Sequence, residues 1–219
     1  MKTAVIIPAY NEAATISRIV AEVKPYVNIV IVVDDASIDE TGELASYQGA
    51  IVVKHLCNQG YDSALQTGFE KADNLNVEVV VTFDADGQHE ANIVRSFIEP
   101  IVYKDVDIVL GVRRKTARFS EDLFNYYVRI RYGINDLLCG LKAYNMNVYR
   151  KHGCFDSSNS IGTELALFGL YNNLPVATVV IDVNENIRKS KFGSTISANI
   201  KIIKALINAL FRDIQNNYK

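Results

Sequence analysis

The sequence predicts an α/β fold with a mostly parallel central sheet flanked by helices, on two grounds. First, short runs of β-branched and apolar residues, such as 4–8 and 29–33, are typical of strands buried on both faces. Second, these runs alternate with longer segments that have the apolar spacing of helices. Because strands that alternate with helices pair in parallel through right-handed crossovers, the pattern predicts a layered α/β domain.

The predicted elements follow the chain in order. Strands are predicted at residues 4–8, 29–33, 50–53, 77–81, 107–111, 142–144 and 176–183. Helices are predicted at residues 14–24, 40–47, 61–74, 91–103, 121–132, 163–171 and 196–216. Pro25 ends the first helix, since proline cannot donate a backbone hydrogen bond. A chain of 219 residues, of which 49% are apolar, fits one domain with a sizeable core.

The segment 82–89 carries two carboxylates directly after a β-branched strand. In an open parallel sheet, ligands bind beyond the carboxyl ends of the strands. Asp84, Asp86 and the amide oxygen of Gln88 form an all-oxygen cluster suited to Mg²⁺ or Mn²⁺, a cation that shares its shell with substrate phosphates. The alternative is a simple turn after a strand. An EF-hand calcium loop is excluded, because its twelfth position would be Arg95 rather than Glu.

Polar or acidic residues follow three of the predicted strands, at 10–12, 34–35 and 84–86. One acid after a strand commonly caps a helix or fixes a turn. Three such clusters at one sheet edge would repel one another unless a positive group binds there, which favours a binding site.

Several classes of protein are excluded by what the sequence lacks. It contains no Gly-x-Gly-x-x-Gly after the first strand and no Gly-Lys-Ser/Thr loop, so dinucleotide oxidoreductases and P-loop proteins are excluded. A sugar-nucleotide pyrophosphorylase is also excluded, because that class needs a Gly-rich basic loop directly after the first strand. A net charge of −2 gives no reason to expect nucleic acid.

The compartment expected from the sequence is the cytoplasm. The cysteines Cys57, Cys139 and Cys154 are odd in number and lack metal-ligand spacing, which indicates reduced thiols. Strand-like sequence begins at Ala4, so we expect no signal peptide, and no apolar run reaches the length of a membrane span.

The motifs together resemble family 2 glycosyltransferases of the GT-A fold, above all dolichyl-phosphate mannose synthases and other polyprenyl-phosphate glycosyltransferases. The segment 8–12 is similar to the family's opening loop, and 33–41 to its Val-Asp-Asp-Gly-Ser-x-Asp-x-Thr motif, with Ala36 in place of the usual glycine. Residues 58–60 stand where the family has Asn-x-Gly, and 84–89 resemble its metal motif. Further similarities are Gly111-Val112-Arg113, the segment 136–142, and the segment 188–193, where the spacing differs from that of the family.

The resemblance implies roles for individual residues. The nucleotide sugar would be held by Pro8, Tyr10, Asn11, Glu12, Asp35, Asp84 and Ala85. Asp86 and Gln88 would hold the catalytic Mg²⁺ or Mn²⁺, while Arg113, Arg188 and Lys191 would bind phosphate. The reaction implied is an inverting transfer of a sugar from a nucleoside diphosphate to a polyprenyl phosphate.

Leu165 bears on the acceptor. Family members that glycosylate a hydroxyl commonly have Glu-Asp where this sequence has Glu164-Leu165, and the Asp is their general base. In this sequence Leu165 stands at the Asp position. A lipid phosphate is already ionised and needs no base, so a phosphate acceptor is favoured. The alternative is transfer to a saccharide hydroxyl with Asp136 or Glu164 as base. Glu164 also fits a purely structural role at a helix start. A third hypothesis is a non-catalytic nucleotide-sugar-binding subunit.

The C-terminal segment is basic and amphipathic. Residues 188–219 contain seven Lys/Arg and one acid. The predicted helix carries an Ile-rich stripe at 196, 200, 203, 207, 210 and 214, which Ile202, Leu206 and Phe211 widen. We predict a domain at 1–195 followed by a helix at 196–219. That helix would cover the sheet, lie in a headgroup layer on the cytoplasmic face of a membrane, or dock a small membrane partner. The donor nucleotide (GDP or UDP), the sugar and the oligomeric state are not predicted.

Overall fold

A seven-stranded mixed sheet organises the protein. The computed structural model describes residues 1–114, 118–182 and 195–217, and within the last helix the side chains of residues 198–211. The strands are β1 (Thr3–Ala9), β2 (Ile29–Asp34), β3 (Ile51–Lys54), β4 (Val79–Thr82), β5 (Ile108–Arg113), β6 (Lys142–Asn145) and β7 (Val176–Ile181). The helices are α1 (Ile16–Val23), α2 (Thr41–Tyr47), α3 (Tyr61–Asn74), α4 (Val94–Tyr103), α5 (Phe119–Tyr132), α6 (Met146–His152), α7 (Glu164–Tyr171) and α8 (Thr195–Asn217).

The strand order is β3-β2-β1-β4-β6-β5-β7. All neighbouring pairs are parallel except those of β6, which runs antiparallel to both β4 and β5. The mostly parallel sheet predicted from the sequence is therefore confirmed, and β6 is the exception to the expected run of parallel crossovers. Its register places Thr82 opposite Lys142, so the residues before β6 meet the end of β4.

The core lies on both faces of the sheet, since its central strands are buried on both sides. Residues Ala4, Val5, Ile6 and Ile7 of β1 are all fully buried, as expected for a strand covered by helices on each face. One apolar cluster contains side chains from α3, α5, α7 and α8, and the other contains side chains from α1, α2 and α4. The two layers leave the carboxyl ends of β1, β2 and β4 at one edge of the sheet.

Helix α6 is an element that the sequence prediction missed. Asn145 caps its first turn by accepting a hydrogen bond from the backbone N–H of Asn147 at 3.0 Å. Gly153 ends it in the left-handed conformation, with φ at 91°. An N-cap asparagine and a terminal glycine are the usual helix boundaries, so the signal was present in a segment too short for a clear apolar period.

Helix α8 has two apolar faces. Ala198, Ile202, Ala205, Leu206 and Ala209 are buried, and the helix packs against α5 and α7. The Ile-rich stripe identified in the sequence lies elsewhere on the helix, where Ile200, Ile203, Ile207 and Leu210 are 40–50% exposed. The helix therefore covers part of the core and also presents apolar side chains to its surroundings. Among the described residues, no helix has the length and apolar character needed to span a membrane.

Candidate functional site

Asp84 and Asp86 lie at the end of the central strand β4. The residues that alternate with them, Phe83 and Ala85, are buried in the core cluster that includes α1 and α4, while both aspartates remain partly exposed. The buried side chains of Phe83 and Ala85 thus anchor the backbone beyond β4, and the carboxylates of Asp84 and Asp86 lie outside the core.

Asp84 is positioned by α3 and by the segment that precedes β6. The hydroxyl of Tyr61, the first residue of α3, donates a hydrogen bond to Asp84 Oδ1 at 3.3 Å. Gly140 approaches the same carboxylate so closely that an added Cβ would lie 3.0 Å from Asp84 Cγ and nearer still to Oδ2. Only glycine fits at position 140 without moving Asp84.

Asp86 lies in a group of negative charges. Its Oδ1 accepts a hydrogen bond from the backbone N–H of Gln88 at 3.0 Å. Burial raises the pKa of Asp86, and the carboxylates of Asp84 and Glu12 raise it further, while His89 opposes them. Carboxylates held together against their mutual repulsion, with an amide side chain two residues on, fit a divalent cation with oxygen ligands. Asp86 and Gln88 are the residues that would hold it.

The loops after β1, β2 and β4 are joined by hydrogen bonds, as their shared sheet edge predicts. The backbone N–H of Asn11 donates to Ser37 Oγ at 3.0 Å, and Asn11 Oδ1 accepts from the N–H of Ile38 at 2.9 Å. Thr15 Oγ1 donates to the carbonyl of Ala85 at 2.7 Å.

The remaining residues of the opening loop lie at the same edge. Pro8 is in β1 opposite Val33, and Tyr10 is exposed beyond the strand. Glu12 is buried, and its backbone N–H donates to Thr41 Oγ1 at 2.7 Å. The structure thus places at this edge most of the residues to which the family resemblance gives a role in holding the nucleotide sugar.

Asp35 fixes the loop that follows β3. Its two oxygens accept hydrogen bonds from the backbone N–H groups of Gln59 and Gly60, both at 2.8 Å. His55 Nδ1 lies 2.7 Å from Asp35 Oδ1, and His55 Nε2 lies 2.9 Å from Thr67 Oγ1. The carboxylate therefore holds residues 59–60 beside the sheet edge.

Arg113, the last residue of β5, forms a two-point ion pair with Asp136. Arg113 Nε donates to Asp136 Oδ2 at 2.7 Å, and Nη2 donates to Oδ1 at 3.1 Å. Asp136 also accepts from the N–H of Leu138 at 3.1 Å, and Arg113 is paired with Glu121 at 3.1 Å.

The other two predicted phosphate ligands, Arg188 and Lys191, lie outside the described residues.

Glu164 begins α7 and is 2% exposed. Its carboxylate accepts three hydrogen bonds, each at 2.8 Å. The donors are the backbone N–H of Ser157, the hydroxyl of Ser157 and the hydroxyl of Ser158. Burial opposes its ionisation, but these bonds and His152 at 3.3 Å outweigh burial and lower the pKa of Glu164. Its neighbour Leu165 is fully buried in the core.

Three residues at the site were given no role by the sequence. Tyr61 touches Asp84, and its only signal is that it directly follows the segment 58–60. His89 lies against Phe83, and its Nδ1 is buried without a hydrogen-bond partner in the described part of the chain.

Lys142 is buried, and its Nζ donates to the carbonyl of Gly162 at 2.8 Å. Burial lowers the pKa of Lys142, although the carboxylates of Asp136, Asp84 and Asp62 oppose that shift.

Comparison with known proteins agrees with this architecture. The family model described as glycosyl transferase family 2 matches residues 4–160. Glucosyl-3-phosphoglycerate synthase from Mycobacterium tuberculosis, solved with Mn²⁺, uridine diphosphate and glucosyl-3-phosphoglycerate, superposes with a TM-score of 0.76 at 20% identity. That match covers 95% of this chain and 79% of the synthase, and it confirms the predicted GT-A fold.

Relatives by sequence carry related names. The chain is 30% identical to a UDP-N-acetylglucosamine--dolichyl-phosphate N-acetylglucosaminyltransferase of Methanococcus voltae, over 66% of this chain and 70% of the relative. It is also 30% identical to an undecaprenyl-phosphate mannosyltransferase of Micrococcus luteus, over 68% of this chain and 69% of the relative. An uncharacterized protein of Methanocaldococcus jannaschii is 32% identical, and the chain spans 66% of its length.

Proposed function

This chain belongs to glycosyl transferase family 2, and from that membership we propose that it transfers a sugar from a nucleoside-diphosphate sugar to a polyprenyl phosphate. In the proposed reaction, a phosphate oxygen of the acceptor forms a bond to the anomeric carbon of the sugar. The bond from that carbon to the diphosphate breaks, and the nucleoside diphosphate leaves. We expect inversion at the anomeric carbon, as the family resemblance implies.

The proposed nucleotide-sugar donor is supported by the cluster of Asp84, Asp86 and Gln88 after β4. It is also supported by the ligands named for the similar solved structures. The mycobacterial synthase was solved with uridine diphosphate and either Mn²⁺ or Mg²⁺. In this chain Asp86 and Gln88 would hold such a cation, whose chemistry when bound is to neutralise charge on the leaving diphosphate. The joined loops after β1 and β2, with Asn11 and Asp35, would hold the nucleotide.

The acceptor assignment rests on one observation: the carboxylates of both candidate bases are already hydrogen-bonded to other side chains. Asp136 is held by Arg113 at two points, and Glu164 accepts from Ser157, Ser158 and His152. Glu164, whose pKa is lowered, and Asp136, whose two oxygens are held by Arg113, are both poor bases for a sugar hydroxyl. A phosphate acceptor needs no base, which favours it over the saccharide alternative. The gathered carboxylates of Asp84 and Asp86 argue against a merely non-catalytic binding subunit.

The exposed apolar stripes support a place at the cytoplasmic face of a membrane, where such an acceptor resides. On α5, Phe119, Leu123, Tyr126 and Ile130 are exposed at spacings of four, three and four, and α5 packs against α8 with its own exposed isoleucines. Two adjacent helices with apolar outer faces and nearby basic side chains suit a headgroup layer or a small membrane partner.

The acceptor assignment is tested by supplying Mn²⁺ and a panel of UDP and GDP sugars with three acceptors. These are farnesyl phosphate, farnesol and a free monosaccharide, with product followed by mass spectrometry. We expect a glycosyl phosphate product from farnesyl phosphate alone. Faster turnover of the saccharide than of farnesyl phosphate would replace this proposal with transfer to a hydroxyl.

A further inference from the structure

A cavity of about 470 Å³ opens between the start of α3, the loop before α7 and one face of α8. Its lining includes Tyr61, Asp62, Ile161, Lys201, Lys204 and Ile207. Lys201 and Lys204 are three positions apart on α8, so both ammonium groups are carried on one side of the helix. Ile207 follows one turn later in the same row. The wall that α8 gives to the cavity is therefore basic at one end and apolar at the other.

The cavity adjoins the strand-end carboxylates through one side chain. Tyr61 lines it, and the same tyrosine donates its hydroxyl to Asp84 Oδ1 at 3.3 Å. A ligand seated between Tyr61 and the two lysines would lie one side chain away from Asp84. That position suits the second substrate of a transfer reaction, since the reacting atoms of both substrates must meet near the diphosphate.

Asp62 fits an incoming phosphate in spite of its charge. Its Oδ2 accepts from the N–H of Ile161 at 3.2 Å and so fastens the loop that forms the opposite wall. Its Oδ1 is buried and has no hydrogen-bond partner within the described ranges. Burial and the carboxylate of Asp156 raise the pKa of Asp62 to about 6, so a neighbouring phosphate would favour the protonated form, which donates a hydrogen bond.

We propose that this cavity binds the acceptor as an amphiphilic phosphate monoester, with the phosphate on Lys201 and Lys204 and the apolar chain passing over Ile207. From Ile207 the exposed stripe continues to Leu210 and Phe211, which gives the chain an apolar route out of the cavity. The inference rests on the proposed function and names the side chains that would recognise its acceptor.

The test measures binding of farnesyl phosphate by calorimetry to the full chain and to Lys201→Gln/Lys204→Gln. Charge-assisted hydrogen bonds to phosphate are lost in this variant, so we expect binding weaker by about tenfold or more. The double variant Lys201→Arg/Lys204→Arg should retain binding. Lys104→Gln/Lys151→Gln removes the same charge from exposed lysines outside the cavity and should bind as the unchanged protein does. Thermal melting checks that each variant folds.

Three further arms separate the sources of the signal. Farnesol tests whether the phosphate is needed, and vesicles containing phosphatidylglycerol test for a general anionic-lipid contact. Binding of UDP with Mn²⁺ should be the same in all variants. The site is overturned if the unchanged protein does not bind farnesyl phosphate, if the glutamine variant binds it equally, or if only vesicle binding or UDP binding falls.

The same variants separate this inference from the proposed function. If the unchanged protein transfers sugar to farnesyl phosphate and the glutamine variant does so with an unchanged KM, the function stands and the site is wrong. If the unchanged protein binds farnesyl phosphate through these lysines but glycosylates only saccharides, the site stands as a phosphate site and the function is wrong.

Discussion

The guanidinium of Arg113 holds both oxygens of Asp136, with Nε 2.7 Å from Oδ2 and Nη2 3.1 Å from Oδ1. Asp136 is 1% exposed, so the pair ties the end of β5 to the loop before β6 in a desolvated setting. Breaking a buried pair from one side is costly, because it leaves the partner charge uncompensated.

We predict that Asp136→Asn lowers the free energy of unfolding by about 2–4 kcal/mol. Urea unfolding measures the loss, and UDP binding in Mn²⁺ should persist in the folded protein. Asp105→Asn, at an exposed aspartate, is the control and should change stability little. If Asp136→Asn keeps full stability but loses all transfer activity, Asp136 acts as a base and the saccharide acceptor is favoured.

A second prediction concerns the metal. Asp86→Asn should abolish the strengthening of UDP binding by Mn²⁺, since a carboxylate ligand is lost. Without metal, the same variant should melt at an equal or higher temperature, because the raised pKa of Asp86 shows that its charge is disfavoured in the fold. Calorimetry with Mn²⁺ and with EDTA, together with a melt in EDTA, checks both parts. Metal-dependent UDP binding that survives the change would remove Asp86 from the ligand set.

Local motifs account for the parts of the site that the sequence predicted. Asp84, Asp86 and Gln88 are close in the chain, so their assembly needs only that β4 ends where its apolar run ends. The contacts of Tyr61 and Gly140 with Asp84 join residues far apart in sequence, and they depend on the packing of α3 and β6 against β4. No local pattern encodes that packing.

Helix α8 shows a different limit. The sequence identified bulky apolar residues as the stripe, and two that widen it, Ile202 and Leu206, are buried. Much of the face against the core is nevertheless formed by Ala198, Ala205 and Ala209. Alanines allow close approach to α5 and α7 but contribute little to an apolar pattern. Either face of α8 is apolar enough to be buried. Only the tertiary packing decides which of the two faces lies against the core.

A third prediction follows from Glu164 and concerns pH. Because the pKa of Glu164 in the fold lies below its ordinary value of 4.5, the ionised side chain stabilises the protein above that pH. This contribution is lost as the pH falls below 4.5 towards the lowered pKa. Glu164→Gln should therefore lower the free energy of unfolding by about 1–3 kcal/mol at neutral pH, with a difference that shrinks in acid.

Urea unfolding from about pH 7 to about pH 3 checks this prediction. Glu99→Gln, at an exposed glutamate, is the matched control and should follow the unchanged protein at every pH. A penalty for Glu164→Gln that stays constant across that range would show that the hydrogen bonds do not depend on its charge.

The fourth prediction concerns Ala36, which stands where the family usually has glycine. Its φ is 62°, in the left-handed region, where a Cβ costs roughly 1–2 kcal/mol. Ala36→Gly removes that strain and adds some freedom to the unfolded chain, so we expect a net gain of about 0.5–1 kcal/mol in urea unfolding. Ala21→Gly, in the exposed interior of α1, should instead cost about 1 kcal/mol. Equal losses in the two variants would contradict the strain at position 36.

The last prediction concerns the membrane and uses the outer face of α8. Ile200 and Ile203 are 50% and 43% exposed, so changing both to serine should leave the melting temperature nearly unchanged. The same change should release the protein from vesicles containing phosphatidylglycerol, because the buried apolar area of an interfacial helix is lost. Basic residues near the surface add about 1 kcal/mol each, and that part should weaken with salt. Tyr47→Ser/Tyr103→Ser alters two exposed aromatic residues on other helices and should float normally. If the unchanged protein never floats, or floats equally well with Ile200→Ser/Ile203→Ser, this face of α8 does not bind the membrane.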